Sequence, residues 1–451
     1  MNKEIDPWDV YSWKKYHAAQ QPEWPDEASL ELAIQDLRQQ PPLVFAGEVR
    51  SLKRQLAEAC EGNVFVLQGG DCAEEFKTSG ADPIKQKLKI ILQMSVALTF
   101  GTLKPVLKIG RIAGQYAKPR SRPTETVNGV ELPIYRGDAV NKIEPTLQAR
   151  TPDPKRMLRA YQQSASTINL LRAFTHGGFA DLRRVNAWNV DFVKNSKLGH
   201  EYQQIADEIT RALSFMKAFG LESKHYKQLY QVDLFTSHEA LLLEYESALT
   251  RQDSLTGDWY NCSAHMLWVG DRTRQLDGAH VEYLSGIKNP VGVKLGPSFN
   301  PDELAPLINE LNPHNEPGKI MLITRFGANK IRDLLPALIH RVKKGGFEVV
   351  WSCDPMHGNT FMSPTGYKTR HFNQILKELK AFFSIHRQEN TIPGGIHFEF
   401  TGDNVTECVG GSDNIQYDEL AKGYLTACDP RLNATQSLEM AFIISKMLQE
   451  G

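Results

Sequence analysis

The stretch VVWSCDPMHGNT, residues 349–360, runs from an apolar, β-branched segment into Cys353, Asp354, Met356 and His357 before a Gly358-Asn359 turn. A buried strand usually hands over to Gly, Pro, Asn or Ser. Here it hands over to groups that ionise or bind metals. The pattern recurs: QGGDCAEEF sets Cys72 just past two glycines, IHFEF carries His397 and Glu399, and CDPRLN carries Cys428, Asp429 and Arg431. Cys72, His357, Glu399 and Asp429 form one chemical set. A thiolate, an imidazole and two carboxylates suit a divalent transition ion with an open position better than Mg²⁺ alone. Taken singly each has a plainer use, a lone Cys as a small core residue and an Asp before Pro as a turn or cap. The alternation His397-Phe398-Glu399-Phe400 puts both polar side chains on one face and both phenylalanines on the other.

A second set is cationic: Arg111, Lys118, Arg120, Arg272, Lys294, Arg325, Lys368 and Arg370. Most Lys and Arg side chains are solvated, but Lys294 is held in VGVKLG and Arg325 ends IMLITR, both apolar runs. A buried charge needs partners, and bidentate binding of phosphate or carboxylate is the usual employment of such arginines. The set implies an acidic substrate carrying more than one phosphate. Lys294 leaves a second chemistry open, a covalent Schiff base with a carbonyl substrate, as in an aldolase. A sugar-phosphate sensor on an inactive barrel is a third reading; it would use the cationic set and leave the metal set idle, although both stand complete.

The elements that must position these residues are short β-type runs at 63–68, 104–110, 181–187, 262–268, 290–295, 319–325, 347–353 and 395–400. Helical patterns lie between them at 82–101, 154–175, 273–286, 301–312, 329–344 and 369–388, and 431–449 closes the chain. Strands alternating with helices specify parallel βαβ units, and eight of them match a closed (β/α)₈ TIM barrel, an α/β fold. An open doubly wound sheet is the alternative, but no Gly-x-Gly-x-x-Gly turn follows the first strand. In such a barrel the active site is built from the C-terminal strand ends, which is where both sets fall. Residues 1–48, with a helical pattern at 26–39, form an N-terminal extension beyond what the barrel needs. The barrel takes 49–451, its first helical pattern at 47–60, with an inserted helical pair at about 188–258 that includes helical runs at 198–219 and 238–250.

With 52 Lys+Arg against 53 Asp+Glu, net charge argues for neither a nucleic-acid nor a membrane-surface partner. No run of about 18 apolar residues is present, and the opening MNKEIDPWDVYSWKKYH lacks the apolar core of a signal peptide. Six cysteines in 451 residues are too sparse for a disulfide scaffold. A cytoplasmic enzyme is the expectation.

The motifs QGGDCAE, GRIAGQYAKPRS, SAHMLWVGDRTRQ, GVKLGP, CDPMHGNT, PTGYKTRHF, GGIHFE, TGDNVTEC and CDPRLN run in order from about residue 63 to the C-terminus. On them the chain closely resembles the type II 3-deoxy-D-arabino-heptulosonate 7-phosphate (DAHP) synthases. The resemblance implies a (β/α)₈ barrel that condenses phosphoenolpyruvate with D-erythrose 4-phosphate, the first step of the shikimate pathway to the aromatic amino acids. It implies a metal site at Cys72, His357, Glu399 and Asp429, taking Mn²⁺ or Co²⁺, with Zn²⁺, Cd²⁺ or Fe²⁺ as further occupants. Arg111, Arg272, Lys294 and Arg325 match the residues that hold phosphoenolpyruvate. Lys118, Pro119, Arg120 and Ser121 match the turn that holds the aldose phosphate, with Lys368 beside it. Lys294, Arg111 and Lys118 are the residues expected to act in catalysis. Asp271 stands where the family pattern carries Glu, which leaves a side-chain role for it open and a backbone role intact. The resemblance further implies a homodimer or homotetramer, an oligomer or regulatory role for the 1–48 extension and the insertion, aromatic amino acid effectors, and chorismate mutase as a partner; composition adds no nucleic-acid and no membrane partner. Cys428, beside Asp429, is a candidate disulfide partner for Cys72 when the metal is absent.

Overall fold

Eight parallel strands close into a barrel in the computed structural model, which describes residues 8–197, 199–221 and 226–449. Residues 1–7 of the expected N-terminal extension, Leu198 of the expected 198–219 helix, residues 222–225 of the expected insertion and residues 450–451 lie outside the described residues. The barrel strands are β1 (Phe65–Gly70), β2 (Val106–Arg111), β3 (Phe235–Glu239), β4 (Met266–Val269), β5 (Val291–Leu295), β6 (Ile320–Thr324), β7 (Val349–Cys353) and β8 (Gly395–Glu399). Each pairs with its sequence neighbours, and β8 closes on β1 with Gly70 opposite Glu399.

Seven of the eight expected strands lie where the alternation puts them, and one does not. The run at 181–187 is the start of a helix, α5 (Leu182–Asn195). Asp181 caps it, accepting from the backbone N–H of Arg183 at 2.9 Å. Val185, Asn189 and Val193 share one buried face at helical spacing. The true third strand is FTSHE, within the range assigned to the insertion. The helices α5 and α6 (Gly199–Ala218) therefore sit between β2 and β3, after α4 (Lys155–His176). Of the expected run at 238–250, only Leu243–Ala248 is helical.

The lumen has two halves. At the N-terminal end Val66, Leu107, Ile109, Met266, Met321, Ile323 and Val350 pack against Leu52, Leu56 and Ala59 of α2 (Ala46–Cys60), which plugs the floor. At the C-terminal end the lumen turns polar, with Gln68, Ser237, Lys294, His397 and Glu399 all buried. Such groups persist in a core only when they bond one another, and they do so around the barrel mouth.

Candidate active site

The loop after β1 organises the loop after β2. Glu74 accepts hydrogen bonds from three successive backbone N–H groups, Ala113 at 3.0 Å and Gly114 and Gln115 at 2.9 Å. This folds the chain so that Lys118 enters the mouth, its own N–H donating to the Arg136 carbonyl at 2.8 Å. A lone carboxylate gathering one turn had no periodic signature in the sequence.

Cys72, Glu399 and Asp429 place ligand atoms within 4.8 Å of one another. His357 Nε2 lies 3.1 Å from Glu399 Oε1, while its Nδ1 faces Asp354 Oδ2 at 2.7 Å. A carboxylate behind one ring nitrogen, freeing the other, is the support that metal-bound histidines receive. Glu399 is fully buried; its Oε2 sits 2.8 Å from Arg370 Nη2 as an ion pair but without hydrogen-bond geometry. A buried carboxylate oxygen left without a hydrogen bond, next to a thiol, an imidazole and a second carboxylate, fits a divalent cation. Burial alone would raise the pKa of Glu399, but His357, Arg370, Lys118 and Arg111 hold it well below the usual carboxylate range. Burial, with Cys428 and Glu399 nearby, pushes the Cys72 thiol well up. A cation would have to displace that proton.

Next to this group lies a cavity of about 80 Å³ lined by Arg111, Lys294, Arg325 and Arg272 among others. Arg111 donates to His397 Nε2 at 2.6 Å and to Glu399 Oε1 at 2.9 Å. Lys294 Nζ is 2.5 Å from Asp354 and 2.9 Å from His397 Nε2. His397 Nδ1 faces Gln68 Oε1 at 2.7 Å, so the ring donates there and Nε2 accepts. Burial first, then Lys294 and Arg111, hold His397 well below its usual pKa, which keeps it neutral. Burial brings Lys294 down to about 8 despite Asp354. The indole of Trp268 forms one wall, 5.1 Å from the Arg111 guanidinium.

Asp271 resolves its own ambiguity. Its carboxylate takes Arg325 at 2.8 Å and Arg274 at 2.9 Å, and accepts from Gly296 N–H at 3.1 Å. It aims the arginine that lines the cavity.

A second, wider cavity of about 470 Å³ opens beside the first and shares Lys118, Pro119, Arg272 and Asp429 with it; Arg120, Ser121 and Lys368 complete its polar wall. Of the residues expected from the sequence at the metal and substrate positions, all but Cys72 and Glu399 line one or both of two adjoining cavities, and those two are grouped with Asp429, which both cavities share.

Three residues of the first cavity were missed, Trp268, Gly270 and the one that ionises, Glu239. Glu239, at the end of β3, is buried, and its Oε1 has no hydrogen-bond partner. It fits because Gly270 faces it: a Cβ there would fall 2.1 Å from that oxygen. Burial raises its pKa above the usual range, against the pull of Lys118, Lys294 and Arg111. The misplaced third strand hid it.

A family model for the class-II DAHP synthetase family matches residues 8–445. The chain belongs to the class-II DAHP synthetase family. Among curated relatives in the family, the phospho-2-dehydro-3-deoxyheptonate aldolase of Streptomyces coelicolor is 54% identical over 450 residues, covering 100% of this chain and 99% of that protein. The phospho-2-dehydro-3-deoxyheptonate aldolase AroG of Mycolicibacterium smegmatis is 48% identical, over 96% of this chain and 93% of its own. The Neurospora crassa enzyme of the same name is 47% identical, over 97% and 94%. Among the described residues no helix is long and apolar enough to cross a membrane.

Proposed function

We propose that the barrel mouth condenses phosphoenolpyruvate with D-erythrose 4-phosphate, giving DAHP and inorganic phosphate as the first step of the shikimate pathway. The observation that carries this reading is the pair of adjoining cationic cavities that share Asp429, with Cys72 and Glu399 grouped around that carboxylate. One reactant is a compact anion with carboxylate and phosphate; the other is an aldehyde with a distant phosphate. The smaller cavity suits the first and the wider one the second.

Arg111, Lys294, Arg325 and Arg272 bind phosphoenolpyruvate and hold its C3 toward the shared wall. Lys118 to Ser121 and Lys368 take the phosphate of the aldose, which leaves its aldehyde at the metal group. When bound, a divalent cation held by Cys72, His357, Glu399 and Asp429 supplies Lewis-acid polarisation of a carbonyl. Mn²⁺ or Co²⁺ is the proposed occupant. The new bond joins C3 of phosphoenolpyruvate to the aldehyde carbon, and the aldehyde oxygen takes up a proton. Water then adds at C2, and the C2–O bond to phosphate breaks to release inorganic phosphate. Glu239 stands nearby with a free oxygen and a raised pKa, and it is the group placed to take the proton from that water.

Lys294 acts as a fixed charge. Both its neighbours, Asp354 and His397, hold the ammonium in place. A Schiff-base mechanism instead requires it to attack a carbonyl. Phosphate release from the two substrates, with and without a chelator, is the deciding assay. Activity lost with chelator and restored with Mn²⁺ or Co²⁺ supports the metal reading. Activity indifferent to chelator, with borohydride trapping on Lys294, sinks it. His357→Ala and Glu399→Gln are expected to be inactive yet folded.

The reading extends to regulation. The chain acts in the cytoplasm as a homodimer or homotetramer, inhibited by tryptophan, phenylalanine or tyrosine at a site distant from the metal, with chorismate mutase as a further partner. Membership of the family and the helical pair α5–α6, which the barrel does not need to close, support it. An effector must bind one state more tightly than the other, typically by about 1–3 kcal/mol. If none of the three amino acids inhibits at millimolar concentration, alone or combined, the regulatory part is wrong.

A further inference from the structure

The first described residues form a strap along the outside of the barrel. The Trp8 indole donates to the Glu282 carbonyl at 2.9 Å and lies flat over Gly286, where a Cβ would fall 1.9 Å from the ring. Trp13 is buried and donates to Ser247 Oγ at 2.7 Å. The His17 carbonyl accepts from Ala279 N–H at 3.1 Å. These anchors deliver Gln20 and Gln21 to the barrel mouth. Gln21 ties down the loop after β3, donating to the Leu241 carbonyl at 2.7 Å and accepting from Leu243 N–H at 3.3 Å.

Gln20 reaches the phosphate turn from two sides. Its side-chain oxygen accepts from the Arg120 N–H at 2.8 Å, and its carbonyl accepts from Arg136 Nη1 at 3.3 Å. The Arg136 carbonyl in turn accepts from Lys118 N–H. Gln20 has φ 65, a left-handed conformation that a non-glycine residue keeps only where surrounding contacts enforce it. The strap spends its one strained residue on the Lys118–Ser121 turn. Arg120 and Arg136 are neighbours of like charge, and Arg136 is held below its usual pKa by burial and by Arg120. The Gln20 carbonyl gives that guanidinium an acceptor.

We propose that Gln20 is a positioning residue for the sugar-phosphate subsite: it fixes the pitch of the Lys118–Ser121 turn, so the strap sets affinity for erythrose 4-phosphate. The proposal rests on the condensation reading, and its test is built to fail separately. Two variants of the full chain serve. Gln20→Met keeps the length and removes the acceptor; Gln20→Glu keeps the acceptor.

With metal supplied, Gln20→Met is expected to raise KM for erythrose 4-phosphate about three- to tenfold, the loss of one hydrogen bond. KM for phosphoenolpyruvate and kcat should stay within about twofold, and Gln20→Glu should behave like the parent. In a second measurement, made without substrates, amide hydrogen exchange over residues 118–121 should be faster in Gln20→Met than in the parent. An unchanged KM for erythrose 4-phosphate overturns the proposal. So does an equal rise in both KM values, or a Gln20→Glu variant as poor as Gln20→Met. Unchanged exchange over the turn overturns it even if the intact chain forms no heptulosonate, an outcome that by itself refutes only the condensation reading.

Discussion

Lys294 gives the site a pH dependence whose sign is fixed. Its pKa is depressed by burial to about 8, so the ammonium that faces the small cavity is lost as pH rises through that value. The phosphate of the substrate has finished its second ionisation well below this, near pH 6. Binding should therefore weaken on the alkaline side, and kcat/KM for phosphoenolpyruvate should fall toward tenfold per pH unit above about pH 8. A profile flat through pH 9 would show that Lys294 stays protonated or is not needed. Arg325 is the neighbouring case. It is held by Asp271 and lines the same cavity, its Nε buried without a partner. Arg325→Ala should cost about 2–5 kcal/mol in affinity for phosphoenolpyruvate, as breaking a desolvated charge contact does. Steady-state kinetics in which that KM does not move would place Arg325 outside the site. Lys294 and Arg325 were legible because a charge in an apolar run is anomalous wherever the run is placed, whereas Lys118, Arg120 and Lys368 stand in polar turns and were given a role only through the family motifs. Asp271 was not fully legible, because only the fold brings Arg274, Arg325 and Gly296 to one carboxylate.

At the scale of elements, legibility followed apolar content. The seven strands found from sequence carry runs such as IMLIT and VVWSC, buried on both faces as parallel barrel strands are. β3 reads FTSHE. Its inward side chains are Phe235 at the floor, Ser237, bonded to Gln68 at 2.9 Å, and Glu239 at the mouth. Thr236 and His238 between them are polar as well, so one aromatic ring is its only apolar side chain. The competing run DLRRVNA looked strand-like only in isolation; its Asp cap and the buried spacing of Val185, Asn189 and Val193 mark a helix. The ring of helices also closes at a specific contact. α3 (Ala81–Thr102), after β1, packs on α11 (Ala434–Gln449), after β8. A Cβ on Gly101 would fall 2.4 Å from Ser445 Cα and 2.6 Å from its carbonyl oxygen. Backbone cannot rotate away as a side chain can. Gly101→Val should therefore destabilise the chain by about 1–3 kcal/mol, outweighing the small gain in helix propensity. A thermal melt checks it, and an unchanged or raised midpoint would mean that the two helices separate at no cost.

For the whole molecule, the helical pair poses the remaining question of what its outer end is for. The near half of α6 is fastened: Tyr202, Ile205, Ala206 and Ile209 are buried, and the Tyr202 ring stacks on Phe442 of α11 at 5.2 Å. Leu213, one turn on, is half-buried against the core, and beyond it the pattern stops. Phe215 and Phe219 stack on each other at 6.0 Å and are 69% and 74% exposed. Two aromatic rings held in water at the end of a helix gain from burial roughly 25 cal/mol per Å² of apolar surface covered. The proposed homo-oligomer supplies a cover, and the barrel mouth is built from strand ends that the pair does not supply. The double variant Phe215→Ser/Phe219→Ser should therefore shift the sedimentation of the chain toward smaller species. Phosphate release from phosphoenolpyruvate and erythrose 4-phosphate should persist, and inhibition by aromatic amino acids should weaken, because a shared equilibrium between subunits needs the contact. If the variant sediments as the parent does, the rings face solvent in the assembly as well. The pair must then be explained by its packing on α3 and α11 alone.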